Sequence, residues 1–477
     1  MKPLVSRRDS SDFTLSGEAD GKRQFDWPVA NHAENLLRGY LQSFLKRHDF
    51  ARNLSERMCL DTGTDFFEWI DHLVLDPAEE IALRKVGFIE NSSAEAPEGL
   101  RVYEHPLATF PFVLINSERQ GSPSVALRVE SVTDFRSSHR LSSEPRGTPL
   151  AGYRYLTVAV ENRVELSAVE RCAYRGFVPK ELKEEDLEQI AWQRELWRIR
   201  PRPFSDEAEG FRKANELLAE ILPLAGPDRT CHFFFEAERA YWESRNRTAR
   251  FQKRRQDKLG LGWANHDHHT FRCSRGHFVD LISFLMKLGF QKRERYYAGA
   301  EAGWGAQILE QPVAGIVVFA DVDLLPEETQ VDFSSTRLSP TRQLGTVGLW
   351  VGLHGESFLE AGMHHLEARF DFALMDQQLR ASGFNTMKPF SNFDFLRQEF
   401  TEGERWQVRP ERAAKLVSAG LITSAQFNRF MSEGAIGSHL ENLQRHGGFK
   451  GFNQTSVSAV IQATDPRKKQ LPQEISA

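Results

Sequence analysis

The sequence predicts an α+β protein in two parts, and three observations carry that reading. A histidine-rich stretch from Asn265 to Arg272 reads as a strand and leads into a helix and three more strands. A second βαβββ pattern follows it, closing its helix on Gly383-Phe384 as Gly289-Phe290 closes the first. The N-terminal half instead mixes helical stretches with short apolar runs, the mark of a mixed α+β domain.

Composition agrees with a soluble globular chain. Its 477 residues are 40% hydrophobic and 27% charged, which allows two to four domains with ample core. A net charge of -5 gives no global field that would attract nucleic acid. No apolar run is long enough to span a bilayer. Met1 to Lys22 is polar and lacks the apolar core of a signal peptide, so residues 1–25 are expected to be disordered. Cys59, Cys172, Cys231 and Cys273 are scattered, with no CxxC spacing. That argues for a reducing, cytoplasmic compartment and against a thiolate zinc site.

Residues 26–230 form the mixed domain, whose role the sequence does not assign. Asn31 to Phe50 reads as a helix, with Asn31 and Glu34 at the spacing of a capping box. Phe110 to Asn116, Ser124 to Val132 and Tyr153 to Leu166 read as strands. His72, alone beside an apolar run, reads as structural rather than catalytic. No nucleophile elbow, phosphate loop or dinucleotide fingerprint occurs here. Glu184 to Trp197 and Ser205 to Ile221 read as helices separated by Arg200-Pro201-Arg202-Pro203. Residues 231–259 form a basic connecting helix, with a longer helical reading over Phe233 to Lys258. It carries Arg245, Arg247, Arg250, Lys253, Arg254, Arg255 and Lys258. Its aromatics, Tyr241, Trp242 and Phe251, do not interleave as a stacking platform would, which favours a solvated face over a nucleic-acid surface.

Residues 260–465 carry the chemistry, and 466–477 are a polar tail. On a strand, His266, His268, Thr270 and Arg272 share one face. Imidazole suits Zn, Fe and Cu, and the Arg272 guanidinium suits a carboxylate. Arg275 to Phe290 reads as an amphipathic helix, with Phe278, Leu281, Ile282 and Leu285 at helical spacing. Strands follow near Arg293 to Tyr297, Gly305 to Leu309 and Gly315 to Phe319. In the second unit, Thr346 to His354 reads as a strand ending in a histidine, and Phe370 to Ser382 as a helix. Two short helices flank Gly420. Glu441 lies on a late strand-like stretch before Gly447, Gly448 and Gly451.

These motifs resemble the vicinal-oxygen-chelate superfamily. Asn265-His266-Asp267-His268-His269-Thr270-Phe271-Arg272 is similar to the Asn-His-Asp-His-x-x-Phe-Arg opening of the 2-oxoadipate dioxygenase/decarboxylase family. Leu396-Arg397-Gln398 is similar to its Leu-Arg-Gln segment. Glu441-Asn442-Leu443-Gln444-Arg445 resembles its Glu-x-x-x-Arg strand and the Glu-Ile-Ile-Gln-Arg strand of 4-hydroxyphenylpyruvate dioxygenases. The likeness covers about Gly260 to Asp465. It implies a half-open barrel, one Fe(II) (or Zn, Mn or Co in related chemistry), and a small 2-oxo acid and O2 as substrates. It implies His268 and Glu441 as metal ligands and Arg272, Gln398 and Arg445 as substrate-binding residues. For the second histidine the choice is His354, with Glu360, His364 and His365 as alternatives.

Overall fold

The computed structural model describes residues 27–117, 123–300, 302–341, 343–453, 465 and 467. The expected disordered N-terminus (1–25) and, apart from 467, the polar tail lie outside the described residues.

Two mixed sheets organise the chain. The first holds β1 (Ile70–Leu75), β2 (Ile89–Glu90), β3 (Leu100–Glu104), β4 (Phe112–Asn116), β5 (Ser124–Arg128), β6 (Tyr153–Glu161) and β7 (Val164–Arg171), in the order β2-β3-β4-β1-β5-β7-β6. The second holds β8 (His266–Cys273), β9 (Gln291–Tyr297), β10 (Trp304–Gln311), β11 (Ile316–Asp323), β12 (His365–Arg369), β13 (Ser391–Phe393), β14 (Leu396–Phe400), β15 (Glu404–Trp406) and β16 (Ala435–Arg445). Its order is β13-β14-β16-β12-β8-β11-β10-β9, with β15 added against β16. Neither strand order closes into a barrel.

In the second sheet β8 runs parallel to β11 and β12 parallel to β16, while β8 and β12 meet antiparallel at the centre. Each central strand is followed by a helix, Phe278–Lys287 or Phe372–Ala381, before the chain returns to the sheet. The first sheet repeats this plan. There β1 is parallel to β4, β5 parallel to β7, and β1 antiparallel to β5. A bridge from Arg146 to Tyr155 stands beside β6, where a fourth strand of that unit would lie. The domain of unassigned role is therefore wired like the metal-candidate half.

The packing differs between the two sheets. Phe235 of the long helix Glu207–Ser244 packs against Phe271 of the second sheet, and Phe233, Phe234 and Cys273 belong to the same core. Residues of the other parity on β8 are left facing the opposite side. In the first sheet Arg171 pairs with Asp71 at 2.5 Å and lies over Tyr153 and Phe177. His72 contacts the same Asp71 through Nδ1 at 2.7 Å and so is tied into a structural pair.

Three sequence expectations are corrected. Thr346–His354 is a helix, buried on nearly every side, so its unbroken apolar character mimicked an interior strand. The first strand of the second unit is His365–Arg369. The basic segment is not one helix: Glu207–Ser244 and Arg247–Asp257 are separated at Arg245 and Asn246, and Asn246 caps the second helix through Ala249 N. Within the longer helix Gly226 is non-helical, between Pro223 and Pro227.

The Asn31–Glu34 capping box does not form, because Ala30 occupies the cap. Glu34 instead accepts from Gly447 N and pairs with Arg38 and His446, tying the first helix to the end of β16. Burial opposes its charge, but His446, Arg38 and the Gly447 amide hold the carboxyl down to about 2. A depressed carboxyl stabilises the fold above its unfolded value of 4.5, and the gain is lost as pH falls from there through about 2. Glu34→Gln is expected to cost on the order of 2 kcal/mol at neutral pH. It should also flatten the acid limb of stability measured by urea unfolding. An unchanged acid limb would contradict the assignment.

Candidate metal centre

The three adjacent strands β8, β12 and β16 bring the site together. Glu367 lies in register with His268 on one side and Glu441 on the other. His365 stands two residues before Glu367, so strand alternation puts both side chains on one face. His268 Nε2 is 2.8 Å from Glu367 Oε2 and 3.9 Å from Glu441 Oε2. His365 Nε2 is 3.1 Å from Glu441 Oε2. Donor atoms of His268, His365 and Glu441 all lie within 4.8 Å of one another, and so do those of Asp267, His268 and Glu367.

The electrostatics favour a cation. Burial, and then the facing Glu367 carboxylate, push the Glu441 carboxyl well above its usual range. Burial, and then the neighbouring His268, push His365 well below its usual value, which keeps it a neutral donor. Burial also weighs on His268, but Glu367 and Asp267 outweigh it and raise its pKa. Gln398 Nε2 donates to Glu441 at 3.1 Å and to Glu367 at 3.3 Å, orienting both. His364 and His365 share a hydrogen bond between their Nδ1 atoms at 2.8 Å, which leaves His365 Nε2 turned to the site. A cavity of about 60 Å³ opens on this cluster, lined by Thr270, Asp321, Gln398 and the rings of Phe390, Phe400 and Phe452. It is room for a few water-sized groups, walled mostly by aromatics.

The structure brings His268, Glu441, Gln398 and, of the alternatives named for the second ligand, His365 into one cluster, but not His354, Glu360 or Arg272. His354 ends its helix with Nε2 3.0 Å from the carbonyl of Ile436, away from the carboxylate pair. His365 takes the place assigned to it. Glu360 is turned to Arg409 and Arg412. Arg445 shares a strand face with Glu441 but lies four residues on, about 13 Å along the chain. There it binds Asp267 at 3.0 Å and the carbonyl of Phe449, and it stands 3.7 Å from Glu367 at the edge of the cluster without lining the small cavity. Arg272 is 2% exposed and also outside that cavity wall, in register with Asp321, which lines it. Its Nε and Nη1 have no hydrogen-bond partner among the described residues. Burial lowers Arg272 to about 10, and Asp321 is raised to about 7 by burial against the pull of Arg272. Sequence reasoning missed Glu367. The alternation of His365-Leu366-Glu367-Ala368-Arg369 is the signal that would have found it.

No family model matches the chain, and no curated protein does. Among solved structures, 4-hydroxymandelate synthase from Streptomyces coelicolor (a triple mutant) is 12% identical, covering 85% of this chain and 98% of its own, with a TM-score of 0.27. Methylmalonyl-CoA epimerase from Mycobacterium tuberculosis is 14% identical over 38% of this chain and 88% of its own, with a TM-score of 0.22. An uncharacterized Shigella flexneri protein, YdcJ, which includes domain DUF1338, is 12% identical over 55% and 73%, with a TM-score of 0.23. These likenesses are too loose to bear on chemistry.

Of the four cysteines, Cys59 is exposed. Cys172, Cys231 and Cys273 are buried and unpaired, and burial pushes the Cys172 thiol up to about 12. Among the described residues no helix is long and apolar enough to cross a membrane.

Proposed function

We propose that this chain is a mononuclear Fe(II)-dependent dioxygenase that decarboxylates a small 2-oxo acid. The observation that carries this reading is the convergence of His268, His365 and Glu441 in a buried cluster beside a second carboxylate. Two imidazoles and one carboxylate suit Fe(II) with open positions for other ligands. The donor set fits a divalent ion: the facing Glu367 and Glu441 carboxylates, with His268 2.8 Å and Arg445 3.7 Å from Glu367, would gain from a bound cation. Bound iron would supply the redox chemistry and the positions for the 2-oxo acid and O2.

The chain's own groups do the rest. Gln398 holds the carboxylates, and His364 fixes the His365 ring through Nδ1. Phe390, Phe400 and Phe452 keep the cavity apolar and limit water. Arg272, with unsatisfied N–H groups, would receive the far carboxylate of a dicarboxylate substrate. The reaction balances as 2-oxo acid plus O2 giving CO2 and a hydroxy acid one carbon shorter. One oxygen atom enters the new carboxylate and the other the hydroxyl.

Protein loaded with Fe(II) is expected to consume one O2 per CO2 released when given a 2-oxo dicarboxylate. Absence of O2 uptake across a series of 2-oxo acids would end this reading. A second reading rests on the Asp267–His268–Glu367 group, whose two carboxylates would suit Mn. It predicts anaerobic lyase or isomerase activity, or hydrolysis, with Mn, Co or Zn.

A further inference from the structure

A larger cavity of about 550 Å³ lies between the two sheets, lined from both halves of the chain. It is large enough for a metabolite-sized molecule. The carboxylates on its wall come with cations. Asp71 is paired with Arg171, Glu104 with Arg175, and Asp267 with Arg445. Glu68 and Asp267 each stand 3.5 Å from Arg369.

Arg128 is left over. It ends β5 on the cavity wall, and among the described residues it has no hydrogen bond to a carboxylate and no ion pair within 4.0 Å. It is half-buried, and burial lowers it to about 10; the Asp71 charge opposes that shift while those of Arg171 and Arg369 add to it, so it remains charged at neutral pH. Arg369 also lines the cavity; its two carboxylate partners stand at 3.5 Å, and its Nε makes no hydrogen bond among the described residues. A guanidinium desolvated beside other guanidinia is costly unless an anion joins it.

We propose that the cavity between the sheets is a binding site for a small oxyanion, carboxylate or phosphate, with Arg128 as its anchor and Arg369 beside it. The cavity adjoins the metal cluster at His268 and Asp267, but His365 and Glu441 do not line it, and the proposal does not rest on the metal-centred activity.

Calorimetric titration of the full-length protein with succinate and, separately, with inorganic phosphate tests this and distinguishes the two oxyanion classes. At least one is expected to bind saturably. Arg128→Gln is expected to weaken that binding about 10- to 100-fold, the worth of a charge-assisted contact. Arg369→Gln, in the same cavity, should weaken it as well, and serves if Arg128→Gln does not fold. Glu441→Ala should bind the anion as the parent does, which keeps this test apart from that of the metal centre. Binding of neither probe, unchanged binding in the folded arginine variants, or binding abolished only by Glu441→Ala would overturn the proposal.

Discussion

Replacing Glu441 by alanine is expected to take iron from one equivalent per chain to nearly none and to abolish O2 uptake. The carboxylate is 2% exposed and lies against His365 Nε2 at 3.1 Å, with Gln398 holding its other oxygen. Losing a residue that merely orients a ligand typically costs 10- to 100-fold in metal affinity, and losing a ligand should cost more than roughly 100-fold. The fold should survive, because the change removes one of two facing buried carboxylates and so relieves their repulsion. Circular dichroism and metal analysis on the same sample separate loss of metal from loss of fold. Iron content equal to the parent's in a folded variant would remove Glu441 from the ligand set.

Arg272→Lys is expected to raise the KM for a 2-oxo dicarboxylate at least about tenfold, with metal content unchanged. The effect on a monocarboxylate of similar length should be much smaller. Lysine keeps the charge but not the planar fork that grips a carboxylate. The structural competitor is an ion pair with Asp321 or Asp323, whose charges favour a protonated Arg272. No carboxylate in the described residues lies within 4.0 Å of the guanidinium, and Asp321 is raised to about 7, so it competes weakly at neutral pH. Equal losses for both substrates, or a drop in Tm with no dependence on substrate, would assign Arg272 to structure instead.

Much of the site is legible in the chain because strand alternation carries directly into side-chain direction. Parity groups His268 with His266, Thr270 and Arg272 on one face, and Glu441 lies on a late strand, but it is the motif resemblance that singles out these two as ligands. The second histidine is obscured by burial. Thr346–His354 has apolar residues all round, so neither a period of 2 nor one of 3.6 is visible, and length alone does not separate a buried helix from an interior strand. The true strand, His365–Arg369, is only five residues long and begins immediately after another histidine. The plan of the N-terminal half is hidden for a related reason. β2 is two residues long, and the position before β6 carries a single bridge, so no periodic signal marks either one. Only backbone pairing reveals that β1 and β5 meet as β8 and β12 do.

The central claim is that one metal sits among His268, His365 and Glu441. Crystals of iron-loaded protein, measured on both sides of the iron absorption edge, locate the metal and identify it in one experiment. The expected result is a single anomalous peak contacting those three side chains, with His354 remote from it. A peak held by Asp267, His268 and Glu367, or by His354, or one that does not respond at the iron edge, would contradict the account.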